Sequence, residues 1–136
     1  MNKFFYVGLI GIVFLFFSCS KNEEKNALKI GKITEIKSGK TVTNSQYGLS
    51  LRVRNISDSR CPIGVMCVWE GNASVEFHLT TKKGEYDFTL DTHHPPNFKN
   101  DTMIESIKYE LKDVLPYPGD GKKLSKQTVK ILVKVQ

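Results

Sequence analysis

Cys61 and Cys67, with the only tryptophan of the chain, Trp69, two residues further on, make DSRCPIGVMCVWEG (58–71) the densest run of reactive and bulky residues in the sequence. A thiolate–metal site needs two further ligands, and His78, His93 and His94 do not stand at finger-type spacing from these cysteines. Redox pairs are usually C-x-x-C within a βαβ pattern, whereas this spacing is C-x5-C and no such pattern surrounds it. Nucleophilic catalysis needs a free thiol beside a base. The remaining reading is structural: a disulfide, with Pro62 and Gly64 turning the chain back between the cysteines. If residues 67–69 are extended, Cys67 and Trp69 point to the same side, which predicts a clasp in which the indole is buried against the bridge. Gly71 and Asn72 then turn the chain into the next strand. Asp58 and Arg60 are expected to pair or to bond loop backbone, and a lone exposed pair of that kind carries little energetic weight.

A second candidate is LDTHHPPNF, residues 90–98. Asp91, His93 and His94, joined by His78 or Glu76 from a neighbouring strand, are a ligand set suited to zinc or copper. The simpler reading is a proline-rich loop with exposed histidines, so neither a metal nor another cofactor is expected. The chain carries no G-x-S-x-G, H-E-x-x-H or glycine-rich phosphate loop, and no pair of carboxylates placed by a motif. A binding role is therefore expected over an enzymatic one, with a metal-handling protein or hydrolase using the 91–94 loop as the alternative.

The compartment is set at the N-terminus. After Lys3 an uninterrupted apolar run of 14 residues, Phe4 to Phe17, is short for a membrane span and right for the hydrophobic region of a signal peptide. It ends in Phe16-Phe17-Ser18-Cys19, which resembles a bacterial lipobox, with Phe16 at the usual leucine position. The resemblance implies cleavage before Cys19 and a diacylglycerol on its sulfur; two or more acyl chains give stable anchoring. Residues 1–18 are thus read as signal peptide and 19–27 as a polar tether. Assigning Cys19 to lipid leaves an even count, Cys61 and Cys67, and an oxidising compartment favours their pairing. The net charge is +6, falling to +5 without Lys3, and the basic residues are dispersed, which argues against nucleic-acid binding.

Residues 28–136 must supply the elements that position these groups. Their dominant period is two. Leu49, Leu51 and Val53, then Ala73 to Leu79, Tyr86 to Leu90, Ile107 to Leu111 and Val129 to Val135 alternate with polar residues over most of their length. Lys82-Lys83-Gly84 reads as a hairpin loop. One helical turn is expected around Thr102 to Ser106. Short strands broken by Gly, Pro and Asn predict an all-β fold, a single antiparallel β-sandwich or barrel-like domain of about seven strands.

The pattern D-S-R-C-P followed by C-x-W-x-G resembles a group of uncharacterised bacterial lipoproteins and secreted proteins, whose members carry a lipobox, this clasp and a β-rich remainder ending in a segment like Leu111 to Pro118. Glu70 stands where that group often has alanine. The resemblance implies compartment and fold and brings no activity with it. The combined expectation is an extracytoplasmic domain held to a bacterial membrane, the outer membrane foremost, by its N-terminal lipid, and binding an envelope protein or glycan.

Overall fold

The computed structural model describes residues 26–93, 96, 98–122 and 127–136. The signal peptide, Cys19 and most of the tether, together with His94, lie outside the described residues.

Among the described residues eight strands follow one another, β1 Ile33–Lys37, β2 Thr41–Asn44, β3 Leu49–Asp58, β4 Ala73–Thr80, β5 Glu85–Asp91, β6 Asp101–Ile104, β7 Ile107–Leu115 and β8 Thr128–Val135. They form two antiparallel sheets of four strands, ordered β2-β3-β4-β5 and β1-β8-β7-β6. The expected sandwich is present, with one strand more than the periodicity suggested. The helical turn expected near Thr102 is instead β6 and a tight hairpin into β7, where Glu105 and Ser106 hold φ of 51° and 63°. Both central residues of such a turn need positive φ, a conformation usually left to Asn and Gly, so the sequence gives no turn signal there.

Alternation builds the core directly. In β4, Ala73, Val75, Phe77 and Leu79 face inward, and in β8 Val129, Ile131 and Val133 do the same. Phe88 lies between Phe77 and Tyr109, at centroid distances of 5.2 and 5.6 Å, linking the sheets with aromatic contacts. Two β-bulges reset the phase. In β3 the register shifts between Val53 and Asn55, and in β7 between Leu111 and Asp113. Before the first bulge Leu49, Leu51 and Val53 are buried; after it Ile56 pairs with core residue Val75, and the even positions face inward. That phase change turns the Asp58 carboxylate toward the interior.

The chain places its loops by end. The β1–β2 turn, the β3–β4 loop (59–72), the β5–β6 loop and the β7–β8 loop share one end, as the registers Asp58↔Ala73, Ser74↔Asp91 and Leu115↔Thr128 require. The β2–β3, β4–β5 and β6–β7 turns and Gln136 lie at the other. Lys82-Lys83-Gly84 forms the β4–β5 hairpin loop as expected, closed by Thr81 N donating to Gly84 O.

Candidate functional site

The β3–β4 loop is built on a stem. Ser59 N donates to Asn72 O at 2.8 Å and Cys61 N to Glu70 O at 2.7 Å, prolonging the β3–β4 ladder past its last paired strand residues. Gly71 sits within this stem at φ +76°, and a Cβ there would lie 2.0 Å from Ser59 O. Only glycine fits both the backbone angle and the approach. The disulfide between Cys61 and Cys67 closes the loop, with a Cα–Cα distance of 6.0 Å. Between the cysteines the chain reverses at Pro62, with Val65 N donating to Pro62 O at 3.2 Å and Gly64 at φ +79°, the positive φ that a type II turn requires at its third residue. The loop also leans on the β7–β8 connection: Ile63 N donates to Pro118 O at 2.9 Å, and a Cβ on Gly119 would come within 2.8 Å of Ile63 N.

The pairing of Cys61 with Cys67 and the turn at Pro62 and Gly64 follow the sequence reading, whereas Gly71, expected to turn the chain, lies in the extended stem. Nor is Trp69 buried as expected. Its residue is 54% exposed, and Met66 and Val68 are fully exposed, with Ile63 and Val65 more than half exposed beside them. Residues 67–70 form no strand, so the two-residue offset from Cys67 carries no facing rule. The indole instead lies nearly parallel to Phe98 (centroids 6.1 Å apart, interplanar angle 14°) and edge-on to His93 at 6.3 Å. The disulfide is thus a staple in an exposed loop, not a plug in the core.

The clasp to the body is made by residues to which the sequence reading gave little energetic weight. Arg60 and Asp58 side chains retain only 5% and 4% of their exposure. Arg60 Nε donates to Asp58 Oδ1 at 2.9 Å and an Arg60 terminal nitrogen to Oδ2 at 2.7 Å, a bidentate fork. Gln127 Nε2 donates to the same Oδ2 at 2.7 Å. The guanidinium lies 4.4 Å from the ring centroid of Tyr117 and 3.6 Å from an Asp113 oxygen. All of these partners beyond Asp58 come from β7 and the β7–β8 connection, far away in sequence, which is why spacing did not reveal them.

Asn72 is a second tie. Its Nδ2 donates to Asp91 Oδ1 at 2.8 Å and to Ser74 Oγ at 3.0 Å, while its Oδ1 accepts from His93 N and Thr92 Oγ1. Asp91 accepts in addition from Ser74 Oγ and from Lys99 N. Its carboxylate is occupied in fixing the β5–β6 loop to the start of β4. His93 packs against Trp69 and Phe98 and has Glu70 as its nearest acid, at 3.9 Å. His78 is not brought to this end: it pairs with Asp87, whereas Asp91 pairs with Ser74, four residues and about 13 Å along the strand. No cluster of three metal-ligating side chains occurs among the described residues.

His78 belongs to a different feature, a shallow hollow of about 380 Å³ on the outer face of the β2–β5 sheet, lined by Arg52, Arg54 and His78. Asp87 neutralises much of it, contacting His78 Nδ1 at 2.7 Å and Arg54 at 3.2 Å. The hydrogen bond from His78 and the Arg54 charge hold the Asp87 carboxyl below its ordinary range.

Among the described residues of the loop end no nucleophile–base pair occurs. That end presents a preorganised apolar projection, backed by a Trp69–Phe98–His93 aromatic group and fixed by a buried ionic tie. Searches against protein-family models, curated proteins and solved structures find no match to this chain.

Proposed function

We propose that this protein is a lipid-anchored extracytoplasmic binding module of a bacterial cell envelope, with the disulfide-stapled β3–β4 loop as its contact surface. The observation that carries the reading is the exposure of Met66 and Val68 on a loop whose stem, bridge and tie to Pro118 all restrain it. Exposed apolar groups gathered on one element mark interaction sites, and a rigid loop loses little entropy on binding. Compartment and anchor rest on the lipobox-like FFSC at 16–19 and on the even cysteine count that remains once Cys19 is acylated. The resemblance of the D-S-R-C-P and C-x-W-x-G elements to lipoproteins points the same way.

Two measurements test this reading. Metabolic labelling with a fatty-acid probe should mark the wild type and not Cys19→Ser; equal labelling of both removes the anchor. A photo-crosslinking residue at Met66 should capture an envelope component in cells, while one at Lys82, at the opposite end, should not. Equal yields at both positions would remove the loop as the contact surface.

A further inference from the structure

The direction in which the chain joins the domain constrains what the loop meets. Leu28 N donates to Thr43 O and Thr43 N to Asn26 O, so residues 26–28 run parallel to β2. The strand β2 starts at Thr41, which pairs with Arg52 of β3, and β3 then continues for six more residues to Asp58 and the apolar loop. At Asn26 the chain therefore enters the fold heading away from the loop end of the sandwich. Chain direction at Ile30, which bridges Val133 in parallel, agrees.

Covalent length closes the argument. Six residues lie between Cys19 and Asn26, and the seven steps that join the two span at most about 25 Å. The part of β3 beyond Arg52 already extends about 20 Å toward the same end, before the loop itself is counted. A tether of that reach keeps the bilayer close to the domain, and chain entry from the loop end favours presenting that end to it. The side chains that arrive there are Ile63, Val65, Met66, Val68 and Trp69, all more than half exposed. Lys37, Lys40, Lys99 and Lys122 stand at the same end together with Glu70, Asp91, Asp101, Asp113 and Asp120, of which Asp120 pairs with Lys122 at 3.2 Å, so the apolar side chains and not the charge mark this surface. Apolar tips with an indole beside them suit the boundary between acyl chains and headgroups.

We infer that the β3–β4 loop is a second membrane anchor, with Met66, Val68 and Trp69 entering the lipid interface beside the acylated N-terminus and holding the domain in one orientation. The inference rests on the lipid-anchored reading above and names the bilayer as the partner of that loop.

The test reconstitutes the full mature protein into phosphatidylethanolamine–phosphatidylglycerol vesicles, with and without lipids brominated near the carbonyl end of the acyl chains. Trp69 is the only indole, so its emission reports the loop alone. At least a twofold loss of emission in brominated vesicles is expected. Met66→Asp with Val68→Asp should bring the ratio of the two emissions to about one while the protein still sediments with the vesicles. These positions are fully exposed, so the melting temperature should not change. A ratio of one for the wild type, with Trp69 quenched by aqueous iodide, would overturn the inference. So would an indole shielded only after solubilised envelope proteins are added, which gives the loop to a protein partner. A blue shift that grows with protein concentration without lipid gives it to a second copy, and also overturns the inference. The mass of the N-terminal peptide reports acylation separately. A chain that lacks the acyl group yet is quenched by brominated lipid would remove the anchor reading and keep the loop; one that lacks both removes both.

Discussion

Asp58 and Arg60 show how much a charged pair changes in meaning with its surroundings. An exposed pair two residues apart is worth well under about 1 kcal/mol. This pair is almost fully buried, forked, capped by Gln127 and stacked on Tyr117, so removing the Asp58 charge leaves the buried guanidinium with the partly exposed Asp113, at 3.6 Å, as its counter-charge. Asp58→Asn is expected to lower the unfolding free energy by about 3–5 kcal/mol in a denaturant titration. Trp69→Ala, at a half-exposed residue outside the core, should cost about 1 kcal/mol or less. A reversal of that order would mean that the indole, not the ion pair, holds the loop. The sequence showed the members of both features but assigned the burial the wrong way round. The inward turn of Asp58 depends on the β3 bulge near Arg54, and the cover over Arg60 comes from Asp113, Pro116 and Tyr117, neither of which local spacing encodes.

Among the elements, strands with strict alternation were legible because one buried face leaves no other register. The four-residue strands β2 and β6 were not, being too short for a period to establish itself. The hairpin after β6 was hidden because Glu105 and Ser106 occupy positions that sequence rules reserve for Asn and Gly. The β3–β4 loop was legible in its bonds and not in its facing. Its disulfide bridges residues six apart, and its stem is already held by two backbone hydrogen bonds and by Gly71. Replacing both cysteines, Cys61→Ser and Cys67→Ser, should therefore reduce stability by about 2 kcal/mol, the chain-entropy value for so small a ring, and leave the β-sheet signal in circular dichroism unchanged. Amide hydrogen exchange should accelerate at residues 62–68 and stay slow in β4 and β8. Loss of protection throughout the sheets would show that the bridge supports the core and not the loop alone.

On the scale of the whole molecule, two polar ties join the sheets at opposite ends. At the loop end Asp58 and Arg60, from the β2–β5 sheet, meet Asp113, Tyr117 and Gln127 from the other. At the far end Glu105, on the β6–β7 turn, accepts hydrogen bonds from Thr81 Oγ1 and Tyr86 Oη across to the β4–β5 hairpin, both at 2.8 Å. The Tyr86 hydrogen bond, seconded by Thr81 and the charge of Lys83, holds the Glu105 carboxyl below its ordinary value of 4.5, and the same contact raises the Tyr86 hydroxyl. Because the folded state binds that proton less tightly than the unfolded chain, the stabilisation is complete above about pH 4.5 and is lost as the pH falls through the folded value. Glu105→Gln keeps the shape of the side chain and removes its titration. The variant should be less stable than the wild type at pH 7, and the difference should shrink steadily as the pH is lowered below 4.5. Chemical denaturation of both proteins between pH 7 and pH 3 measures it. A difference that is constant with pH would show that the Glu105 charge contributes nothing to holding the sheets together, leaving the aromatic contact of Phe88 with Tyr109 as the tie on that side.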